Sequence, residues 1–290
     1  MISVARACKR ALLRNFPRFG VMLQRAWRRR HLERFQAQLG LPAIVRSYTN
    51  RYGLRVQSGP FAGMSYVAGA TGSMFLPKLI GSYEAELHSV MSSIRDNAYS
   101  LVVDIGCAEG YYAVGFALML RDCSVIACDI DPHARAWCAA LAKENGVSNR
   151  ITLLAECSPA LLEAEIAGRT LVFCDCEGAE YVLLDPERAP KLAEADLLIE
   201  LHPSSSTDDA ALMSRFERSH SATVITSEER SSADYPIVDF LPPDEARLAL
   251  CEFRPPAQRW LWLGVRKPHA PPESAQSKAG AAVCRSRSEL

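Results

Sequence analysis

The sequence predicts an α/β protein built on a doubly wound, mostly parallel sheet of seven strands. From about residue 100 onward, short apolar runs alternate with helical patterns, which is typical of βαβ units. Charged residues and glycines stand where several of these runs end. The chain has 290 residues, of which 49% are hydrophobic and 23% charged, so it can bury a substantial core. These observations favour a Rossmann-like α/β domain, preceded by a less regular segment.

Seven apolar runs have the length of buried strands and are bounded by turn residues. The predicted strands cover residues 100–106, 123–131, 149–156, 170–175, 195–202, 222–227 and 259–266. Helical patterns separate most of them. The predicted helices cover residues 109–121, 132–146, 158–168, 178–192, 208–220 and 244–250. The second helix is the best delimited, because Pro132 lies in its first turn and Gly146 lies just past its end.

The rest of the chain divides into three parts. Residues 36–99 form a lead-in, in which SGPFAGMSYVAGATG predicts a hairpin or two short strands and a helical pattern runs on from Glu84. Glu84 and His88 are four residues apart, which favours an exposed ion pair on one helical face. We expect the lead-in to form a cap on the acceptor side of the sheet domain, residues 100–267. Residues 268–290 are rich in Pro, Ser and Ala and are predicted to be disordered.

Residues 1–35 carry many arginines, and the first acidic residue is Glu33. This basic amphipathic segment favours a solvated leading helix or arm, with weak membrane-surface contact or targeting as the alternative. It lacks the apolar core of a signal peptide and is too charged to span a bilayer, which predicts a cytoplasmic protein. Over the whole chain 33 basic residues balance 33 acidic ones, so nucleic acid is a disfavoured partner.

Ten cysteines occur, most of them within apolar strand-like or helical runs. Such residues behave as small buried hydrophobes in a reducing cytosol. Cys174 and Cys176 are the one close pair, and no second pair follows at zinc-site spacing. The pattern therefore disfavours both a disulfide framework and structural zinc.

The first strand runs into DIGCAEG, residues 104–110. Glycines at positions 106 and 110 let the backbone approach a ligand closely, and the next helix presents its first N–H groups there. The spacing differs from the G-x-G-x-x-G of dehydrogenases, which disfavours a nucleotide-dependent oxidoreductase. It resembles the first motif of class I S-adenosylmethionine-dependent methyltransferases.

This resemblance implies S-adenosylmethionine as cofactor and a set of residues that bind it. Asp129 closes the second strand and matches the position at which this family accepts hydrogen bonds from the ribose hydroxyls. Asp131 is interpreted as a helix cap. Ile130 and Glu156 stand where the family contacts the nucleoside. The cofactor residues implied are Asp104, Gly106, Cys107, Ala108, Glu109, Gly110, Tyr111, Asp129, Ile130 and Glu156.

The ends of the fourth and fifth strands resemble one particular family of these methyltransferases. CDCEGAEYVLL is similar to the D-x-E-G-x-E signature of FkbM-like methyltransferases, and LLIELHP resembles the segment that follows it there. The likeness covers about residues 100–205 and implies O-methyl transfer to a small-molecule or sugar hydroxyl. A degenerate methyltransferase fold that acts as a cofactor-binding or interaction module is the alternative.

Side-chain alternation predicts the acceptor side of the site. If the chain stays extended through residue 177, Asp175 and Glu177 share one face, and Glu200 and His202 share a face of the next strand. Either His202 or a carboxylate could act as the general base, or Asp175, Glu177 and Glu200 could hold a divalent cation such as Mg²⁺. The general base is slightly favoured. Glu180 is interpreted mainly as stabilising a helix start.

Overall fold

The computed structural model describes residues 34–67, 73–202, 208–254 and 258–266. Nearly all of the basic segment 1–35 and the whole tail 268–290 lie outside this range, so the expectations for them are not examined. Seven strands are present in the described part of the chain. They are β1 (Leu101–Ile105), β2 (Ser124–Cys128), β3 (Ile151–Leu154), β4 (Thr170–Cys174), β5 (Asp196–Leu201), β6 (His220–Thr226) and β7 (Arg259–Val265).

The strands form one sheet in the order β3-β2-β1-β4-β5-β7-β6. β1 to β5 run parallel to one another, and β7 lies antiparallel between β5 and β6. Every residue of β4 and β5 is buried, as expected for central parallel strands that are covered on both faces. The predicted doubly wound, mostly parallel sheet is confirmed.

Helices cover both faces of the sheet. The α-helices are α1 (Leu41–Tyr52), α2 (Phe75–Ile80), α3 (His88–Arg95), α4 (Tyr111–Met119), α5 (Pro132–Glu144), α6 (Pro159–Glu165), α7 (Glu180–Leu183), α8 (Asp209–Ser214) and α9 (Pro243–Leu250). Helix α5 begins as its sequence predicts, because the side chain of Asp131 accepts a hydrogen bond from the His133 N–H. Among the described residues no helix is long and apolar enough to cross a membrane.

One predicted helix is wrong. The pattern over residues 178–192 yields only the four residues of α7 and a separate 3₁₀ turn, Pro190–Glu194. Pro186 lacks the N–H that a continuing helix needs, and the side chain of Asp185 accepts a hydrogen bond from the Glu187 N–H instead. Upstream, the helix predicted from Glu84 onward is present, but it starts with a 3₁₀ turn, Ala85–Leu87, and becomes α-helical at His88.

Glu84 lies before that helix in a left-handed conformation, with φ of 49°. Its side chain is almost fully buried, and its carboxylate pairs with Arg254 and Tyr112. The predicted exposed ion pair between Glu84 and His88 is therefore wrong, because burial of Glu84 requires partners from other elements.

The lead-in packs into the same core as the sheet domain. Phe61 lies edge-on against Tyr111 and Phe116 of α4, with ring centroids 5.2 and 5.9 Å apart. A glycine at position 115 makes room for this ring, since a Cβ there would lie 2.6 Å from Phe61 Cδ1. Burying an aromatic side chain of this kind stabilises the fold by about 1.5–3 kcal/mol. The lead-in is thus an integral part of the folded unit.

Replacing Gly115→Ala tests this contact. Alanine favours a helix by about 1 kcal/mol over glycine, but overpacking against a buried ring costs about 1–3 kcal/mol. We expect the free energy of unfolding to fall by about 1 kcal/mol, measured by urea denaturation. The double variant Gly115→Ala/Phe61→Leu should lose less than the sum of the single losses. Stabilisation by Gly115→Ala would contradict the packing described.

Candidate active site

Several acidic side chains lie at the carboxyl ends of the parallel strands. Asp104 and Asp129 stand at the carboxyl ends of β1 and β2, and Asp175 and Glu200 stand at those of β4 and β5. Ligands of doubly wound sheets bind beyond these strand ends. Cys174 packs into the core on the opposite face of the sheet from Phe173, which agrees with the predicted alternation of side chains along β4.

The loop after β1 is tight and strained. Gly106 has φ of 93°, and a Cβ there would overlap the carbonyl oxygen of Asp175. Gly110 has φ of 94°, and a Cβ there would lie 2.6 Å from the thiol sulfur of Cys138. Between them Ala108 has φ of 47°, an uncommon conformation for a residue with a side chain. Strain of this kind is concentrated at functional sites.

Asp104 is only 1% exposed, and the backbone N–H of Ala113, in the first turn of α4, approaches its carboxylate without forming a well-aligned hydrogen bond. Burial raises the pKa of this carboxyl well above its ordinary value. A buried carboxylate that is so weakly hydrogen-bonded is costly, whereas a ligand ammonium group beside it would offset that cost. The side chain therefore fits the methionine part of S-adenosylmethionine.

Asp129 is held rigidly at the end of β2. Its two carboxylate oxygens accept the N–H groups of Ala108, at 3.0 Å, and Asp131, at 2.8 Å. A carboxylate oxygen can accept more than one hydrogen bond, including one from a hydroxyl group such as those of a ribose. Ile130 is 37% exposed beside it and offers an apolar surface to a base, whereas Glu156 is exposed after β3.

Three predicted cofactor residues point their side chains into the protein. Glu109 is fully buried and binds Lys78 and, at 2.7 Å, the hydroxyl of Tyr66. The ring of Tyr111 packs against lead-in aromatic residues, including Tyr66. Cys107 is 5% exposed and its thiol faces α5. Any contribution of these residues to cofactor binding would come from their backbone.

The structure brings Asp175, Glu200 and His202 together. His202 Nε2 lies 3.5 Å from Glu200 Oε2 and 3.7 Å from Asp175 Oδ1. One ligand atom of each residue falls within 4.8 Å of the others, which is a spacing that a metal ion can bridge. Glu200 is 5% exposed, whereas Asp175 and His202 are partly open to solvent.

The sequence interpretation gave Glu180 mainly a local role at a helix start and missed its contact with His202. Its fully buried carboxylate accepts a hydrogen bond from the Gly178 N–H at 2.9 Å, which agrees with a local role at the start of α7. The same carboxylate lies 3.2 Å from the backbone N of His202 and 3.1 Å from His202 Nδ1. Glu180 is the second glutamate of the D-x-E-G-x-E pattern, so the sequence marked the residue. The sequence did not show that its partner would be His202.

Glu177 does not join this group. β4 ends at Cys174, and Glu177 has φ of 59°, so the chain is not extended through residue 177. The side chain of Glu177 is exposed. The expectation that Asp175 and Glu177 share a strand face is therefore wrong, and His202 takes the third position beside Asp175 and Glu200.

Arg254 connects the lead-in to this group. Its guanidinium lies 2.7 Å from Glu200 Oε1 and 2.7 Å from the hydroxyl of Tyr83, and it pairs with Glu84. Arg254 was not predicted as a site residue, since nothing in its local sequence marks it. A buried cation in contact with these acids limits the electrostatic cost of bringing them together.

The local environments of His202, Glu180 and Glu200 shift the pKa values of these side chains in different directions. Although burial opposes the charged imidazolium, the hydrogen bond to Glu180 and the charge of Asp175 raise the pKa of His202 above its ordinary 6.5. Hydrogen bonding to His202 outweighs burial and lowers the pKa of Glu180 below 4.5. Burial and the charge of Asp175 raise the pKa of Glu200 well above 4.5. Perturbed groups of this kind mark candidate catalytic sites.

The solved structures that resemble this chain do so at low sequence identity. No model of a protein family matches the sequence, and no curated protein does. Solved structures that resemble the chain include an O-methyltransferase from Bacillus cereus in complex with SAH, at 12% identity, covering 78% of this chain and 90% of that one with a TM-score of 0.43.

A second similar structure is the O-methyltransferase TomG from Streptomyces achromogenes, involved in tomaymycin synthesis and in complex with SAM. It is 14% identical and covers 64% of this chain and 81% of that one, with a TM-score of 0.42. At such low sequence identity and TM-score, the cofactors and substrates of those two proteins are not assigned to this chain. The strand order, with its one antiparallel strand, defines the Rossmann-like fold of class I methyltransferases.

We expect the replacement Glu180→Gln to reduce the pH dependence of the free energy of unfolding. A raised His202 pKa stabilises the fold below about pH 6.5, and this contribution is lost as pH rises through the folded value. A lowered Glu180 pKa stabilises it above about pH 4.5, and this is lost as pH falls through the folded value. The pair is therefore most stabilising between these values.

We expect Glu180→Gln to lower the free energy of unfolding by about 1–3 kcal/mol near pH 5.5, and by less near pH 8.5. Urea denaturation in chelator-treated buffer measures both values. Glu187→Gln, at an exposed position of the same segment, serves as control and should show no such difference. Equal losses at both pH values would contradict the assigned pairing.

Proposed function

We propose that this protein transfers the methyl group of S-adenosylmethionine to a hydroxyl oxygen of a small molecule or sugar. The observation that carries the proposal is the placement of His202. Its Nδ1 faces the buried carboxylate of Glu180, and its Nε2 lies beside Asp175 and Glu200 at the strand ends. This arrangement supports a role for Nε2 toward an acceptor bound at the strand ends.

The residues of β1 and β2 fit the methyl donor. The buried, weakly hydrogen-bonded carboxylate of Asp104 would bind an ammonium group, and the fixed carboxylate of Asp129 would accept ribose hydroxyls. Bound S-adenosylmethionine supplies an electrophilic methyl group on sulfur. The close contact of Gly106 with Asp175 joins this donor side to the acceptor side.

His202 is proposed as the general base. With Nδ1–H donating to Glu180, the lone pair of Nε2 can take the hydroxyl proton as the acceptor oxygen attacks the methyl group. The imidazolium that forms is stabilised by Glu180 and Asp175, whose carboxylates lie 3.1 and 3.7 Å from its two nitrogens. The hydrogen bond to Glu180, which raises the pKa of His202 above its ordinary value, makes the imidazole a stronger base for the hydroxyl proton.

A divalent cation is the second candidate for this role. Asp175, Glu200 and His202 Nε2 are a plausible ligand set, and Glu180 would orient the histidine as carboxylates do behind many metal-bound histidines. A cation there would lower the pKa of an acceptor hydroxyl. This set replaces Glu177 of the sequence-based proposal with His202.

Within the methyltransferases we infer membership of the FkbM-like group, a cytoplasmic location and a small-molecule acceptor. Asp175, Glu177 and Glu180 supply the D-x-E-G-x-E pattern that supports this group. Contact of the basic amino-terminal segment with membranes remains a proposal based on sequence alone.

Calorimetric titration with S-adenosylhomocysteine tests the donor site. We expect binding by the wild-type chain and an affinity about tenfold to a hundredfold lower for Asp129→Asn, because an amide accepts fewer hydrogen bonds than a carboxylate. Asp131→Ala is the matched control, since Asp131 caps α5 through the His133 N–H. We expect it to bind normally. Lack of binding by the wild type to both the cofactor and this product would overturn the proposed function.

A panel of hydroxyl acceptors tests the acceptor side. We expect His202→Ala to lower kcat about 10²–10⁴-fold while S-adenosylhomocysteine affinity stays unchanged. Activity that persists in a chelator supports the general base. Activity that disappears and returns with Mg²⁺ supports the cation. Cofactor binding without turnover on any acceptor would favour a binding module.

A further inference from the structure

Lys78 is a buried lysine on α2 that the proposed reaction does not use. It is 3% exposed, and its ammonium forms an ion pair with the fully buried carboxylate of Glu109. The ammonium also donates a hydrogen bond to Ser73 Oγ at 2.6 Å, and it lies 4.7 and 5.2 Å from the ring centroids of Tyr83 and Tyr111. Desolvation offsets most of the attraction within a buried ion pair, so the pair contributes chiefly by fixing the positions of its two partners.

Helix α2 holds Lys78 firmly within the lead-in. All residues from Leu76 to Ile80 are buried. The backbone N–H groups of residues 81–83 donate to the carbonyl of Pro77, and Ser58 Oγ donates to the carbonyl of Ile80 at 2.6 Å. The helix cannot shift without breaking several of these hydrogen bonds, so Lys78 is a fixed anchor.

Glu109 connects this anchor to the loop after β1. Residues 107–110 form a turn, in which the Gly110 N–H donates to the carbonyl of Cys107 at 2.8 Å. Ala108 and Glu109 are its two central residues, and Ala108 has φ of 47°. Turns with positive φ at the first central position ordinarily carry glycine there. Alanine is strained in this conformation, which persists only where the surrounding contacts hold it.

Two contacts hold the strained Ala108. Its own N–H donates to Asp129 Oδ2 at 3.0 Å. The side chain of the next residue, Glu109, is buried against the lead-in, where Lys78 and the hydroxyl of Tyr66 bind it. A change at Lys78 is therefore expected to reach the carboxylate that is proposed to bind the ribose.

We infer that Lys78 is a positioning residue for the methyl-donor site. Through Glu109 it holds Ala108 in the left-handed conformation that presents the Ala108 N–H to Asp129. This role rests on the proposed binding of S-adenosylmethionine at the loop. Lys78 acts through the loop and not by contact with the ligand, since its ammonium is enclosed by Glu109, Ser73 and two aromatic rings. The lead-in thereby contributes to donor binding, which the sequence assigned to residues of the sheet domain alone.

Calorimetric titration of the full chain with S-adenosylhomocysteine tests this role. Lys78→Met removes the ammonium but keeps a long side chain, and we expect the dissociation constant to rise about tenfold to a hundredfold. Lys143→Met, at an exposed position of α5, is the matched control and should bind as the wild type does. Adding Ala108→Gly to Lys78→Met should bring the affinity back to within about threefold of the wild type, because glycine adopts positive φ without strain. A merely structural role of Lys78 predicts no such rescue, since glycine at position 108 does not replace the lost ion pair.

Tyr66→Phe is a milder variant that serves if Lys78→Met does not fold, as judged by thermal unfolding. It removes one hydrogen bond to Glu109 and should raise the dissociation constant about twofold to tenfold, again with rescue by Ala108→Gly. An affinity that neither variant changes, or a loss that Ala108→Gly does not rescue, would overturn the inference.

Amide hydrogen exchange of the ligand-free chain, followed by NMR, separates this inference from the proposed function. We expect the Ala108 N–H to be protected in the wild type and to exchange at least about tenfold faster in Lys78→Met. The His133 N–H, which binds Asp131 Oδ1, should keep its rate. A wild type that does not bind S-adenosylhomocysteine but shows this difference would overturn the proposed function and still support the coupling of Lys78 to Ala108. Equal exchange of Ala108 in the two chains would contradict that coupling.

Discussion

The contact between Glu180 and His202 is the interaction on which the candidate site depends. It joins the segment after β4 to the end of β5, with both the backbone N and the Nδ1 of His202 within 3.2 Å of one buried carboxylate oxygen. A fully buried carboxylate needs such donors, because without them its desolvation would destabilise the fold. The same requirement that keeps Glu180 bonded therefore fixes the direction of the imidazole.

A second layer of buried charge holds the lead-in against this site. Arg254 and Arg230 lie among carboxylates from three separate parts of the chain. Lys78 lies over the Tyr83 ring from another direction, with its ammonium 4.7 Å from the ring centroid. Since an unpaired buried charge is strongly unfavourable, these groups tie the lead-in to the strand ends. The candidate site is accordingly built from residues that are far apart in sequence.

The sheet could be predicted because central parallel strands are continuous apolar runs whose ends are marked by glycine or acid. The six residues of β5 lie within the run predicted over 195–202. Short helices were less predictable, and Pro186 reduced a predicted long helix to the four residues of α7. Local propensity also misplaced Glu84, because it cannot show that Arg254 lies near.

The sequence by itself determined which residues stand at the strand ends and, through alternation along β5, that Glu200 and His202 share a face. This follows from local rules, because side-chain direction repeats every two residues in a strand. Only the tertiary structure decided that β7 inserts antiparallel between β5 and β6, that Glu177 turns out to solvent, and that Glu180 bonds His202. Those outcomes depend on contacts across many residues, where the cost of burying a charge without a partner selects the arrangement.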